Sequence, residues 1–522
     1  MPRLALKPDS SFFRKIALGA IGTRRVSDDL VARGHLMYEL ERGSLDTKLW
    51  KDVKRKRVRI PDLVCGRCGI RVESRAKTKP ELSMSHSLTD AERAWDFGMV
   101  NSDWIAFPVC KSMDEKLWTH GRLGSQTSYW HERNWVEWQV DGAVNYFTVE
   151  AFRATPHATT ATKGVTEGSE TTLSWAGAFS ARNGTVDVVD GRRVTIRRGS
   201  DGHRHTRTLP NDFEVFVAAG DAVRQHELVA GRIRPLTAAA LQCPGHLPPA
   251  HISQLLGSRE RTQRFTGVKL ARIVADASHE EVIARIAADD EEDVYIRLEA
   301  ASYLASVCNA EAAGLFRPFL AHADPQIRLE AVIALGETDT PESVDLISEI
   351  LDDGGREYFL RSAAAWALSR TGTETATARL IRAFTDVDQS IREEALQGVV
   401  TLGGTAVPLL QVGLREANAD VAAGCAEALR QQPELPDHTL DALAASLRSS
   451  EPSLWAVWLV GHLARTRVAG AVAGLEDTAP QLHYAITLLW SFAESWIARR
   501  WELNPGPVLP AAGEADDVDV TA

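Results

Sequence analysis

Six cysteines in 522 residues are too few and too dispersed for a disulfide framework. Only Cys65 and Cys68 are closely spaced, so the thiols read as core residues plus one candidate metal knuckle, in a cytoplasmic chain. Long apolar runs are lacking as well. Residues 15–22 and 454–463 fall far short of the roughly 20 residues that a bilayer span needs, and the start of the chain has no signal-peptide anatomy, so no membrane partner is expected. Also missing are a Walker lysine loop, a dinucleotide-type glycine fingerprint, a Gly-x-Ser-x-Gly elbow and a His-Glu-x-x-His pair, which removes the reaction classes those motifs serve. What is present is 44% hydrophobic and 25% charged residues, a globular profile with room for two or three domains.

The net charge of −11 is unevenly spread. Residues 1–260 hold 38 Lys and Arg against 30 Asp and Glu, giving +8, and the remainder holds 21 against 40, giving −19. A basic half gains affinity for phosphate through counterion release, whereas an acidic half repels nucleic acid and suits a protein partner.

In the acidic half a motif recurs about every 31 residues: Ile296-Arg-Leu-Glu-Ala300, Ile327-Arg-Leu-Glu-Ala331, Leu360-Arg-Ser-Ala-Ala364, Ile391-Arg-Glu-Glu-Ala395 and Val421-Ala-Ala-Gly-Cys425. The aliphatic residue is followed four later by Ala or Cys and eight later by Leu304, Leu335, Leu368, Val399 or Leu429, one stripe of a helix. The small residue lets a paired helix approach closely, and Asp-Pro or Gly segments supply the turns. These units resemble HEAT repeats of the short, phycobilin-lyase-like kind, which implies an α-solenoid over residues 263–502. The arginines at the second motif position, Arg297, Arg328, Arg361 and Arg392, suit an intra-repeat salt bridge better than a phosphate ladder, since acids adjoin them. Trp455, Trp458, Trp490, Trp496 and Trp501 are expected to seal the last repeats, and residues 503–522 are expected to be a disordered acidic tail.

Between about 126 and 240 the texture changes to short β-branched runs separated by Gly and Asp, the pattern of a small antiparallel β domain. Residues 215–231 resemble the closing strands of barrel-sandwich hybrid domains, but no hairpin lysine marks a swinging-arm carrier. His203 and His205 read as a polar hairpin tip. A linker spans 241–262.

Residues 1–125 carry the chemistry. Arg57-Val-Arg-Ile-Pro-Asp-Leu-Val-Cys-Gly-Arg-Cys-Gly-Ile-Arg-Val-Glu-Ser-Arg-Ala-Lys77 parses as strand, tight knuckle, strand. Asp62 and Glu73 on paired strands can converge on one divalent cation. The segment resembles the core of the PD-(D/E)xK nucleases, with a preceding helix over 28–41 offering Glu39 or Glu41 and a further helix over 88–98. The resemblance implies an α/β restriction-endonuclease-like head, in a multidomain α+β chain, that uses Mg²⁺ or Mn²⁺ to cut nucleic acid. In place of the family's lysine stands Arg75, which cannot give up a proton. Lys77 lies on the same strand face and is the substitute.

Cys65-x-x-Cys68-Gly is half of a tetrahedral zinc site. The remaining ligands are sought in Cys110 with His86, or in Cys243 with His246. Around this hairpin, residues 48–79 carry twelve Lys and Arg against three acids. Lys54, Arg55, Lys56, Arg57 and Arg75 are therefore the candidate nucleic-acid contacts, while Trp50, Trp95 and Trp104 read as core. Three readings stay open: a metal-dependent nuclease recruited by the solenoid, a head that binds nucleic acid without cutting, and a scaffold whose head is a zinc-pinned structural domain.

Overall fold

In the computed structural model, helix α1 (Ser10–Val31) turns Val26 and Leu30, one turn apart and fully buried, onto a sheet. Described are residues 10–40, 58–112, 138–140, 142–161, 170–245, 250–338, 340–432, 434–449 and 452–503, in two units, Met1–Ala310 and Glu311–Ala522.

The strands of the first unit run in order β1 (Met37–Glu39), β2 (Leu63–Cys65), β3 (Arg71–Ser74), β4 (Leu82–Ser87), β5 (Trp104–Phe107), β6 (Lys111–Ser112), β7 (Trp138–Gln139) and β8 (Asn145–Thr148). Its main sheet has the order β1-β2-β3-β5-β8, antiparallel except for the parallel pair β3/β5. Strand alternation splits neighbouring residues between two cores. Ala106 and Tyr146 join Val26, Leu30, Leu63 and Val72 under α1, and Phe107 and Phe147 join an aromatic cluster with Trp95, Phe152 and Trp175 on the opposite face. Trp95 is thus core, as expected.

Further strands follow: β9 (Ala158–Ala161), β10 (Glu170–Trp175), β11 (Gly177–Phe179), β12 (Gly184–Asp190), β13 (Arg193–Arg198), β14 (Arg204–Thr208), β15 (Glu214–Val215), β16 (Ala222–Val223) and β17 (Leu228–Gly231). They form the sheets β4-β10-β9, β11-β17-β15 and β14-β13-β12-β16. The last two share a small core of Ala178, Val186, Val194, Leu209, Val223, Val229 and Ala230. The pairings β5/β8 and β4/β10 both run across residue 125.

Two expected helices are corrected. That over 28–41 stops at Val31, because Gly34 adopts a left-handed φ of 85° and the chain re-enters as β1. Glu39 therefore sits exposed on a strand. That over 88–98 shrinks to the 3-10 turn Ala91–Arg93, since Ser87 Oγ captures the amides of Thr89 and Asp90.

Five further helices are described in the unit: α2 (Val149–Ala154), α3 (Ala250–Leu256), α4 (Arg261–Ile273), α5 (Glu280–Ala288) and α6 (Val294–Ser306). Arg71, only 1% exposed, joins the sheet to α4. Its Nε donates to Asp103 Oδ1 at 2.9 Å, its Nη2 to Asp103 Oδ2, and its Nη1 to Thr262 and Thr266 Oγ1 at 3.4 and 3.2 Å.

The second unit is helical: α7 (Ala312–Leu320), α8 (Pro325–Gly336), α9 (Pro341–Asp352), α10 (Tyr358–Thr371), α11 (Glu374–Arg382), α12 (Gln389–Leu402), α13 (Val407–Gly413), α14 (Ala419–Arg430), α15 (Asp437–Leu447), α16 (Leu454–His462), α17 (Arg465–Val472), α18 (Leu475–Thr478) and α19 (Pro480–Leu503). The repeated triads Ile327/Ala331/Leu335, Leu360/Ala364/Leu368, Ile391/Ala395/Val399 and Val421/Cys425/Leu429 are all buried. Asp324, Thr340, Thr373, Asp388 and Asn418 cap the helices they precede. At Gly336 a Cβ would lie 2.8 Å from that of Ala367, so α8 and α10 meet only because that position is bare.

The arginine row is structural: Arg297 pairs with Asp290 at 2.7 Å in the turn before its own helix, as expected. Arg328 and Arg392 donate to backbone oxygens of the turn before their own helix, at His322, Ala323, Asp386 and Val387. The ion pairs of Arg328 with Glu357 and Arg361 with Asp386 reach instead to the next repeat's turn. They are inter-repeat staples. Trp490 Nε1 donates to Val460 and Leu463 O, and Trp455 packs edge-on against Trp458. The side chains of Trp496 and Trp501, and residues 504–522, lie outside the described residues. Residues Gln389–Gly413 have the length and apolarity of a membrane span, but comprise α12, the turn Gly403–Ala406 and α13.

Removing one partner of the Arg71–Asp103 pair leaves a buried charge alone. Asp103→Leu should cost about 3–5 kcal/mol in urea unfolding of the full chain, and adding Arg71→Met should recover most of it. Additive losses in that double-mutant cycle would mean the two do not interact.

Candidate metal centre

Three chain segments meet at one point. The end of α1 leads through Gly34 to His35, the β2/β3 hairpin carries Cys65 and Cys68, and the segment after β17 ends at Cys243. The donor atoms of these four side chains all lie within 4.8 Å of one another.

Local geometry sets each ligand. In the knuckle, Cys65 N–H bonds Ile70 O and Gly69 N–H bonds Cys65 O, with Gly69 left-handed at φ 73°. Arg67 N–H points to Cys65 Sγ at 3.4 Å, and its guanidinium donates to Gly34 O at 2.7 Å. That bond ties the knuckle to the residue beside His35. Cys243 N–H bonds Arg33 O at 3.1 Å, which brings the third thiol to the same place. His35 Nε2 lies 3.1 Å from Leu241 O and its Nδ1 3.6 Å from Cys68 Sγ. When Nε2 carries the proton and donates to the carbonyl, the Nδ1 lone pair faces the sulfurs, the usual way an outer-shell partner orients a metal-binding histidine.

The donor set fits a cation. Three sulfurs and one imidazole nitrogen match a closed Cys3His site, and tetrahedral bonds of about 2.0–2.3 Å require donors roughly 3.5–3.8 Å apart. Cys65 is fully buried. A hydrogen bond from Cys68 holds the Cys65 thiol down at about 3, while the same shared proton, with burial, pushes Cys68 up. Even bare, the pair favours one thiolate.

Of the expected ligands, Cys65, Cys68 and Cys243 converge. Cys110 does not: it is fully buried beside Lys77, its thiol pushed up to about 11 by burial. His86 lies on β4, opposite Thr171, and His246 lies outside the described residues. His35 was missed. A single histidine 30 residues before Cys65 has no motif spacing, and the only local signal is the Gly34 stop that precedes it.

The expected catalytic residues are held differently. Asp62 Oδ2 accepts from Ser74 N at 2.8 Å, and continuing the register Leu63↔Val72 sets Asp62 opposite Glu73. Glu73 is 8% exposed and pairs with Arg75 at 3.0 Å, whose Nη2 also donates to Trp95 O. Burial lowers Lys77 to about 8. Among the described residues, Asp62, Glu73 and Glu39 form no metal-holding group. Glu41, Trp50, Lys54, Arg55, Lys56 and Arg57 lie outside the described residues. His203 and His205 are exposed at and beside the β13/β14 turn.

The description "HEAT repeats" matches residues 280–358 and 315–400. No curated protein matches the chain. Among solved structures, human deoxyhypusine hydroxylase is 19% identical over 47% of this chain and 95% of its own, with a TM-score of 0.20. The CpcE–CpcF complex of phycocyanin lyase from Nostoc sp. PCC7120 is 16% identical over 48% and 95%, TM-score 0.17. A HEAT-like repeats protein from Thermococcus onnurineus NA1 is 14% identical over 41% and 97%, TM-score 0.20. Together with the repeated buried triads, the family match identifies residues 280–400 as HEAT repeats.

Proposed function

We propose that this chain is a cytoplasmic scaffold or adaptor: an acidic HEAT array that holds a protein partner, joined to a sheet-containing region pinned by structural zinc. The observation that carries the second half is the convergence of His35, Cys65, Cys68 and Cys243. Zinc with four protein ligands has no open position for a substrate, so it cross-links three segments and catalyses nothing. The six cysteines are all free, as a reducing compartment requires. The array offers exposed carboxylates on α9, at Asp345 and Glu349, for a basic partner.

A second reading rests on Lys77 and on the register that sets Asp62 against Glu73. It is nucleic-acid binding by the basic half, with Mg²⁺- or Mn²⁺-dependent cleavage. In it Asp62 and Glu73 hold the cation and Lys77 orients or deprotonates water. The Glu73–Arg75 ion pair weighs against cleavage, because it already neutralises one of the two carboxylates.

Full-length protein purified without chelator should hold about one zinc. Cys65→Ser or His35→Ala should lose it and lower Tm by several degrees. A well-folded, metal-free wild type would end the zinc reading. For the array, in-cell crosslinking should join the α9 surface to a second protein, and Asp345→Lys with Glu349→Lys should abolish that crosslink. A chain that crosslinks to nothing overturns the adaptor.

For the second reading, DNA and RNA should bind with affinity that falls steeply between 50 and 200 mM salt. Any cleavage with Mg²⁺ or Mn²⁺ should vanish in Asp62→Ala. Cleavage that persists in that variant would place the chemistry elsewhere. Lys77 gives an independent check. Its folded value near 8 lies below its ordinary 10.5, so burying the ammonium destabilises the fold fully below pH 8 and the penalty fades as pH rises to 10.5. Lys77→Met should therefore stabilise the chain at pH 7 by about 1–3 kcal/mol, with no gain near pH 10.5. Equal gains at both pH values would show that Lys77 is not buried as a cation.

A further inference from the structure

The cysteine cluster is not sealed. A cavity of about 480 Å³ opens against it, lined by His35, Cys68, Ile70, Trp104, Gln242 and Cys243 among others. Two of the three sulfurs, those of Cys68 and Cys243, border this cavity, whereas Cys65 is fully buried. Among the described residues, the lining holds no Asp, Glu, Lys or Arg, and only His35 and the two thiols titrate. The walls are Ile70, Trp104, alanines, Pro244 and the amide of Gln242. Such a lining admits a small uncharged reagent and disfavours a large anionic one such as glutathione disulfide.

We propose that Cys68 and Cys243 are a modification site for peroxide: oxidation joins them as a disulfide and expels the metal. This rests on the zinc reading above. Zinc keeps both sulfurs as thiolates, the nucleophilic form. The Cys68 sulfur attacks one oxygen of hydrogen peroxide and the O–O bond breaks. Cys68 becomes the sulfenic acid, and the displaced hydroxide takes up a proton to become water. The Cys243 thiolate then attacks the sulfenyl sulfur, and hydroxide leaves and is protonated to a second water. Two thiolates, one peroxide and two protons thus yield one disulfide and two waters. The two sulfurs lose two electrons and the peroxide gains them.

The geometry allows the second step. The donor atoms already lie within 4.8 Å, and a disulfide needs sulfurs about 2.05 Å apart. Closing that gap moves the segment 235–243, which is held at its ends by Leu236 N–H to Tyr146 O and Cys243 N–H to Arg33 O. Zinc then keeps only Cys65 and His35, too few for a closed site. Of the thiols outside the cluster, Cys110 and Cys425 are fully buried, with burial raising them to about 11 and about 12, and burial raises the half-buried Cys308 as well.

The test treats full-length, zinc-loaded protein with hydrogen peroxide, follows zinc with a chromogenic chelator, and maps disulfides by mass spectrometry. The expected result is release of about one zinc per chain together with a Cys68–Cys243 linkage and a loss of 2 Da, reversed by a thiol reductant with added zinc. Cys243→His keeps four ligands but cannot form the bond, and its zinc release should be at least about tenfold slower. Protein that holds zinc and keeps it under peroxide overturns this inference while leaving the zinc reading intact. Release with a Cys65–Cys68 linkage overturns the assigned pair. Protein that holds no zinc at all overturns both.

Discussion

The buried ion pair of Arg71 with Asp103 is the constraint around which the first unit is organised. Arg71 leaves β3 and Asp103 immediately precedes β5, so the pair spans the one parallel pairing in the sheet, where a long connection must be brought home. Burial pushes the Asp103 carboxyl up, and the guanidinium draws it back. A pair this deep holds only when every donor is used. Here Thr262 and Thr266 on α4 take the remaining nitrogen. Helix α4 is therefore tied to the sheet by polar bonds of fixed geometry.

The cysteine cluster solves a related problem by other means. The end of α1, the β2/β3 knuckle and the segment after β17 are short, and two of them are turns with little apolar surface to bury. A backbone bond from Cys243 N–H to Arg33 O and a guanidinium bond from Arg67 to Gly34 O bring them together. A cation in the middle would add far more cohesion than these bonds alone. The same shortage of covering side chains leaves Cys68 and Cys243 facing a cavity. Stability and chemical exposure of the site have one cause.

In the second unit the same residue type serves a different end. Arg328 binds backbone oxygens of its own repeat's turn and a carboxylate of the next, and Arg361 binds Leu351 O on α9 of the preceding repeat and a carboxylate of the next. The repeats that carry Arg328 and Arg361 therefore take a counter-charge from the next repeat, in addition to the apolar triads. Unlike a row of free guanidiniums, these are already satisfied.

The sequence by itself determined the HEAT repeats and the knuckle, since both are local. Ile, Ala and Leu at intervals of four mark a buried stripe wherever they recur, and Cys65-x-x-Cys68-Gly closes on itself through Gly69. It also placed Cys243 among the candidates, though without choosing it over Cys110. Only the tertiary structure decided that His35 completes the set, that Glu39 stands on a strand, and that Arg71 answers Asp103 and leaves Asp62 and Glu73 to other partners. His35 lies 30 and 208 positions from Cys65 and Cys243, and Arg71 lies 32 from Asp103. At such separations no helical or strand period relates two side chains, and what brings them together is the packing of the sheet against α1 and α4.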